Sequence, residues 1–165
     1  MKKRIVLNTN SSIFMIRVGL TRHFQKYFRL TTSEEIKKEM EEGKRQGYKD
    51  AQMLLLLIEE KGIDVLPALA ANAVAQNFNL ELEDASVVAL AEEQKSKLAT
   101  EDTQVEKIAL LKGVEVTNVG FLVYELFMKK ELDKQRSLLV LNILQQQGYR
   151  SDVIMKIKEK ILGGV

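Results

Sequence analysis

The stretch Arg4-Ile5-Val6-Leu7-Asn8-Thr9-Asn10-Ser11-Ser12-Ile13 constrains the fold more than any other part of the chain. Ile5-Val6-Leu7 is apolar and partly β-branched, which reads as a buried strand. A polar turn follows. Ile13, Phe14 and Ile16 then open a helical pattern, with Asn10 as its N-cap. Asn8 therefore stands at the carboxyl end of a strand, just ahead of a helix. In open parallel sheets that is where ligands bind. By itself the stretch reads as a turn of turn-tolerant residues. The same layout recurs downstream with carboxylates, and that recurrence makes it a candidate site.

The rest of the chain alternates in the same way. Helices are expected over about Asn10 to Gly19 and Thr21 to Tyr27, then a short strand at Phe28-Arg29-Leu30-Thr31. Thr32 and Glu35 form a capping box that starts a helix at Ser33, running to Gly43. Another helix lies between Gly47 and Gly62, and Ile63 to Leu66 is extended up to Pro67. Ala68 to Asn77 and Glu81 to Ser96 read as helices around a turn at Asn79-Leu80. Strand Leu98-Ala99-Thr100, helix Thr103 to Lys112, strand Val114-Glu115-Val116 and helix Phe121 to Lys129 follow. Helices at about Asp133 to Gln147 and Ser151 to Leu162 close the chain, with a frayed end at Gly163-Gly164. Strands alternating with helices predict an α/β fold, a parallel sheet with helices on both faces. The 165 residues suit one domain, with a C-terminal helical pair at about 133–162.

Composition excludes several chemistries. There is no cysteine, so disulfide frameworks and thiolate metal sites are ruled out. The apolar run after Met1-Lys2-Lys3-Arg4 is too short for a signal peptide, and Met53 to Ile58 is too short to span a bilayer. The expectation is a soluble, cytoplasmic protein with no membrane partner. Glycine-rich phosphate loops are absent. The one histidine, His23, lies among basic and aromatic residues, which suits a structural or RNA-facing role better than catalysis.

Charge is uneven. The first 33 residues carry seven of the 25 Lys and Arg and none of the 23 Asp and Glu. Arg22, Lys26 and Arg29 recur at helical spacing, giving a basic face that is either an ordinary solvated surface or a contact for a phosphate backbone near the site. The run Met53-Leu54-Leu55-Leu56-Leu57-Ile58 is apolar almost all round, so its helix is expected to be buried on more than one side. Burial within the monomer is the first reading. A homodimer or partner-protein surface is the alternative.

Three carboxylates stand out. Asp102 follows the strand ending at Thr100, as Asn8 follows Leu7. Thr103 and Glu106 already supply a capping box there, which frees Asp102 for function. Asp84 is in line with Val88 and Ala91 on a core-facing stripe, and Glu39 lies beside the apolar face of its helix. A charge in such a place should be paired, capping or metal-bound. Oxygen-only donors suit Mg²⁺ or Mn²⁺, cations that serve phosphoryl chemistry.

The order of these signals resembles the PIN-domain ribonucleases, including the toxin subunits of VapBC-type toxin–antitoxin pairs. The resemblance runs through Leu7-Asn8-Thr9-Asn10, where that family has Asp-x-Asn, and through Ser33 to Met40 with its Glu39. It continues through Asp84-Ala85-Ser86-Val87-Val88-Ala89-Leu90-Ala91 and Thr100-Glu101-Asp102. It implies a three-layer α/β/α fold around a central parallel sheet. Glu39, Asp84 and Asp102 would be the catalytic acids, holding Mg²⁺ or Mn²⁺ together with Asn8, and Asn10 and Thr100 would support them. The implied activity is cleavage of RNA by a toxin-type subunit with an antitoxin partner. Asn8 departs from the family's leading Asp and removes a charge, so an inactivated form is implied as well. A non-catalytic PIN-like module binding RNA or protein, and an unrelated α/β domain whose acids only cap helices, remain as alternatives.

Overall fold

The computed structural model describes residues 1–163, so Gly164 of the expected frayed end lies outside the described residues. The chain begins with β1 (Lys3–Leu7), α1 (Thr9–Arg17), α2 (Thr21–Tyr27), β2 (Phe28–Ser33), α3 (Glu34–Arg45) and α4 (Lys49–Glu59). It continues with β3 (Asp64–Leu66), α5 (Ala71–Phe78), α6 (Leu82–Glu93), β4 (Lys97–Ala99) and α7 (Thr103–Leu111). It ends with β5 (Val116–Thr117), α8 (Val119–Met128), α9 (Lys134–Gln146) and α10 (Ser151–Leu162).

The strands form one parallel sheet in the order β3-β2-β1-β4-β5. Central β1 is covered on both faces, and Ile5, Val6 and Leu7 are each at most 1% exposed. A parallel sheet packed by helices on both sides requires such continuous apolar strands. Helix α6 is buried all round from Ala85 to Ala91 because α5, α3, α7 and the sheet enclose it. Its small Ala and Ser positions let those neighbours approach. Helices α9 and α10 pack on each other and on α8, where Gly120 permits close contact. A Cβ at Gly120 would lie 2.8 Å from Val153 Cγ1.

The structure corrects several expectations. Asn8, not Asn10, caps α1, accepting from Ser11 N. Ser33, not Thr32, caps α3, while the Thr32 hydroxyl donates to Leu7 O and ties β2 to β1. Helix α5 begins only at Ala71, because the Glu93 carboxylate accepts from the backbone N–H groups of Leu69 and Ala70. The last strand is Val116–Thr117, with Val114 buried in the turn before it. Helix α4 is not enclosed. It packs on α1 and α3 along one stripe with Ala51 and Leu54 buried, leaving Met53 51% and Leu56 52% exposed. Arg29 lies on β2, so it does not continue a helix face with Arg22 and Lys26 on α2. Among the described residues no helix is long and apolar enough to cross a membrane.

Candidate active site at the carboxyl ends of the strands

From β1 the chain passes to β2 on one side, and it later returns to β4 on the other. This reversal opens a crevice above the carboxyl ends of β1 and β4. Asn8 and Thr100 stand at those two ends and bond each other, Asn8 Nδ2 donating to Thr100 Oγ1 at 2.9 Å. Asn8 Oδ1 accepts from Ser11 N at 2.9 Å. The amide orientation follows from that bond, since a backbone N–H needs an oxygen acceptor. Thr100 Oγ1 also accepts from Asp102 N. With 4% of its surface exposed and both amide ends bonded, Asn8 is a clamp between β1, α1 and β4. That differs from the ligand role expected of it. Asn10, expected to support the site, is exposed on α1. Thr100 occupies the supporting place.

The acids sit around this clamp. Ser33 caps α3 through Ile36 N, and its hydroxyl pairs with the Ser86 hydroxyl at 2.7 Å, joining the starts of α3 and α6. That junction brings Glu39 of α3 and Asp84 of α6 toward one another. Thr9 donates its hydroxyl to Glu39 Oε1 at 3.0 Å, so α1 orients the carboxylate. Burial pushes the Glu39 carboxyl up, the Thr9 hydrogen bond opposes this, and the charges of Glu83 and Asp84 add to it. Burial likewise raises Asp84, with further contributions from Asp102, Glu83 and Glu81. Each acid thus feels the next across the crevice. Asp84 lies in the first turn of α6, where the helix dipole favours negative charge.

Asp102 was expected to be free of capping duty, but it caps α7. Its Oδ1 accepts from Gln104 N at 2.8 Å and Val105 N at 3.1 Å, while the residue as a whole is exposed. The Thr103–Glu106 capping box did not displace it, because Asp102 alone has the extended backbone of an N-cap.

Among the described residues no three acids or histidines come together as a group that could hold a metal ion by themselves. Glu39, Asp84 and Asp102, expected to share one cation or its first water shell, therefore do not form a direct three-ligand cage. The donor chemistry nonetheless fits Mg²⁺ or Mn²⁺. Mutually repelling carboxylates favour a divalent cation, and Mg²⁺ is commonly held by one or two carboxylates with its waters and substrate phosphates.

One wall of the crevice was not anticipated. Glu101 Oε1 accepts from Ser11 Oγ and Val119 N, both at 3.1 Å, while buried Oε2 has no partner. Burial raises the Glu101 carboxyl, against the lowering influence of the nearby Tyr149 hydroxyl and of the bonds from Val119 N and the Ser11 hydroxyl. The Tyr149 hydroxyl accepts from Gly120 N at 3.0 Å and donates to Asn118 Oδ1 at 3.2 Å, the same oxygen that caps α8 through Phe121 N. Burial, followed by the nearby Glu101, pushes that hydroxyl far up. Phe14 meets the Tyr149 ring edge-on, centroids 5.0 Å apart. A residue between Thr100 and Asp102 reads as a free position. Only the fold turns Glu101 inward.

The basic residues lie elsewhere. Phe28 pairs in register with Lys3, and Arg29 with Arg4, at the amino ends of β2 and β1. Arg29 bonds Asp64 at 2.6 Å and Lys26 bonds Glu131 at 2.8 Å, on the edge of the sheet opposite the acids. The expected placement of Arg22, Lys26 and Arg29 beside the acidic crevice is corrected for Lys26 and Arg29. Arg22 is exposed in the first turn of α2. His23 is structural, lying 2.9 Å from Glu131 through Nδ1 and accepting from Arg136 through Nε2 at 3.2 Å.

A family model described as DUF3368, PIN domain, matches residues 4–162. No curated protein matches the chain by sequence. Among solved structures, VapBC2 from Rickettsia felis, bound to a DNA fragment from their promoter, is 14% identical. That match has a TM-score of 0.53 and covers 70% of this chain and 98% of that one. PAE2754 from Pyrobaculum aerophilum is 20% identical with a TM-score of 0.49, covering 74% of this chain and 93% of that one. With a family match spanning nearly its whole length and a central parallel sheet flanked by helices, the chain belongs to the PIN-domain family.

Proposed function

We propose that this protein is an endoribonuclease that uses Mg²⁺ or Mn²⁺ and acts as the toxin-type subunit of a toxin–antitoxin pair. PIN-domain proteins are generally metal-dependent nucleases, so the family supports the class of activity. The observation that carries the reading for this chain is the placement of its acids at the strand reversal, close enough that the charge of Asp84 raises Glu39 and that of Asp102 raises Asp84. Glu39 and Asp84 would hold the cation, with the uncapping oxygen of Asp102 facing its water. When bound, such a cation polarises a phosphoryl oxygen and lowers the pKa of water for attack on phosphorus. The chain's own groups do the positioning. Thr9 fixes the Glu39 carboxylate, the Asn8–Thr100 clamp sets the width of the crevice, and the cap on α7 holds Asp102 still.

A second reading, a non-catalytic PIN-like binding module, is favoured by one observation. The position where the resemblance calls for Asp holds an Asn bonded at both ends of its amide. Cleavage of a mixed RNA pool with and without Mg²⁺ and Mn²⁺ separates the two. Metal-dependent cutting that falls at least ~10–100-fold in Asp84→Asn supports the nuclease. An inert chain, also inert as Asn8→Asp, gives the lead to the binding module. As the R. felis structure holds VapBC2, an antitoxin is proposed as partner here, with the Met53 and Leu56 stripe of α4 as its apolar contact. Light scattering with and without the product of a neighbouring small reading frame tests this, and a second copy of this chain on that stripe is the other outcome.

A further inference from the structure

We infer that the amino-terminal edge of the sheet, opposite the acidic crevice, is a docking face for the phosphate backbone of RNA. The inference rests on the RNA reading above. Its first support is backbone strain. Lys61, Lys95 and Lys130 have φ of 62°, 51° and 60°, the left-handed region that disfavours L side chains. They follow α4, α6 and α8, whose C-termini reach this edge. Gly19 and Gly113 take the matching positions after α1 and α7 without strain, at φ of 70° and 76°. Lysine therefore stands three times where glycine is easier. Offsetting helix dipoles is one reason for a cation there. Binding an anion is the other.

The second support is continuity. Three shallow depressions of about 580, 770 and 650 Å³ run along this edge and share lysines and arginines of β1. Several cations in them are neutralised. Arg4 and Arg29 meet Asp64, Lys26 meets Glu131, and Lys112 meets Glu92. Lys3, Lys61, Lys95 and Lys129 form no ion pair with any described residue, and each lines at least one of these depressions. Their charge is available to an outside anion. Lys26 Nζ and Lys129 Nζ lie 5.5 Å and 5.4 Å from the Tyr27 ring centroid, so this edge sets an aromatic ring among cations, as single-strand binding surfaces do. Five strands about 4.8 Å apart make the edge roughly 19 Å wide, enough for several phosphates. The opposite end of the sheet repels phosphate unless a cation is present. RNA engaged at the crevice would thus be held by its flanking backbone at the other edge.

The test is fluorescence anisotropy with a labelled uridine homopolymer in EDTA, titrated over NaCl concentration. The triple variant Lys61→Gly, Lys95→Gly, Lys130→Gly removes three charges while relieving the left-handed backbone, so its melting temperature should hold or rise. Its salt slope should fall by about 2, at ~0.7 per phosphate contact on a single strand. Lys3→Gln with Lys129→Gln, at unstrained positions, should lower the slope by about 1 and guards against a folding defect in the triple. Unchanged affinity and slope in both variants overturn the inference. So does binding of the wild type to phosphatidylserine vesicles, but not to the homopolymer, with the same lysine dependence. Cleavage assays keep the two readings apart. If Asp84→Asn abolishes cutting while the lysine variants bind like wild type, the nuclease reading stands and the docking face falls. If the lysine variants lose binding and nothing is ever cut, the docking face stands and the nuclease reading falls.

Discussion

The two ends of the one sheet are built on opposite principles. At the carboxyl ends, helix N-termini converge, and polar side chains cap them: Asn8 on α1, Ser33 on α3, Asp102 on α7 and Asn118 on α8. The acids of the crevice stand among these N-termini, whose dipoles offset negative charge. At the amino ends, helix C-termini converge, and lysines follow three of them. The first end is partly buried, so Glu39, Asp84 and Glu101 are pushed up. The second is open to solvent, so its ion pairs are screened. One layout of parallel strands and antiparallel helices thus polarises the molecule, and burial decides how each end responds to pH.

The sharpest way to break the contrast is Asn8→Asp. The new carboxylate would be buried, would lose the amide donor to Thr100, and would face Glu101 across Ser11. In metal-free protein we expect a loss of about 3 kcal/mol, a fall in Tm of roughly 6–12 °C, partly restored by Mn²⁺. Thermal melts with and without Mn²⁺ measure it. No fall in Tm would mean that the crevice is more hydrated than its burial indicates.

Tyr149→Phe comes next. It strips Gly120 N of its acceptor in a buried place, and a loss of about 1–2 kcal/mol in urea unfolding is expected. Removing Asn118's partner in the same step should loosen the contact of α10 with the crevice wall.

Glu101→Gln tests the pH response of the buried end. The folded carboxyl is raised above its unfolded value, so its contribution is fully present below the unfolded pKa and is lost as pH rises through the folded one. Wild-type Tm should therefore decline more steeply than that of the variant as pH rises above about 4.5, the ordinary glutamate range. Parallel profiles would show that the carboxyl is not the source.

Glu131→Gln should give the smallest effect, and of the opposite sign. Hydrogen bonds from Lys26, His23 and Tyr27 lower the Glu131 carboxyl to about 2. Its contribution is present above the unfolded pKa and is lost as pH falls through the folded one. Wild-type Tm should drop between the ordinary glutamate range and about pH 2, and the variant should lack that drop. Because its partner Lys26 is exposed, the difference should shrink in high salt.

Much of the fold could be read in the chain because it rests on local pattern. Ile5-Val6-Leu7 announces a doubly covered strand, and α2 falls on the Thr21 to Tyr27 span expected of it. Glu39, Asp84 and Asp102 could be picked out because each stands a fixed distance from a strand end or a core-facing stripe. The misreadings have a shared cause. Asn8 and Asn10 are both good caps, and only the extended backbone at Asn8 decides between them. The leucines of α4 looked buried because periodicity reports apolarity, not how many neighbours arrive to cover it.

By itself the sequence determined the alternation of strands and helices, the apolar centre of the sheet and the candidacy of three acids, since all of these depend on residues a few positions apart. Tertiary structure alone decided which polar groups meet. Asn8 bonds a hydroxyl 92 residues away, Ser33 pairs with Ser86, and Lys26 finds a carboxylate 105 residues on. It also sent Glu101 inward and the lysines to the far edge. Such contacts depend on how helices return across the sheet, and no local pattern encodes the distance between two strand ends that meet only when the core closes.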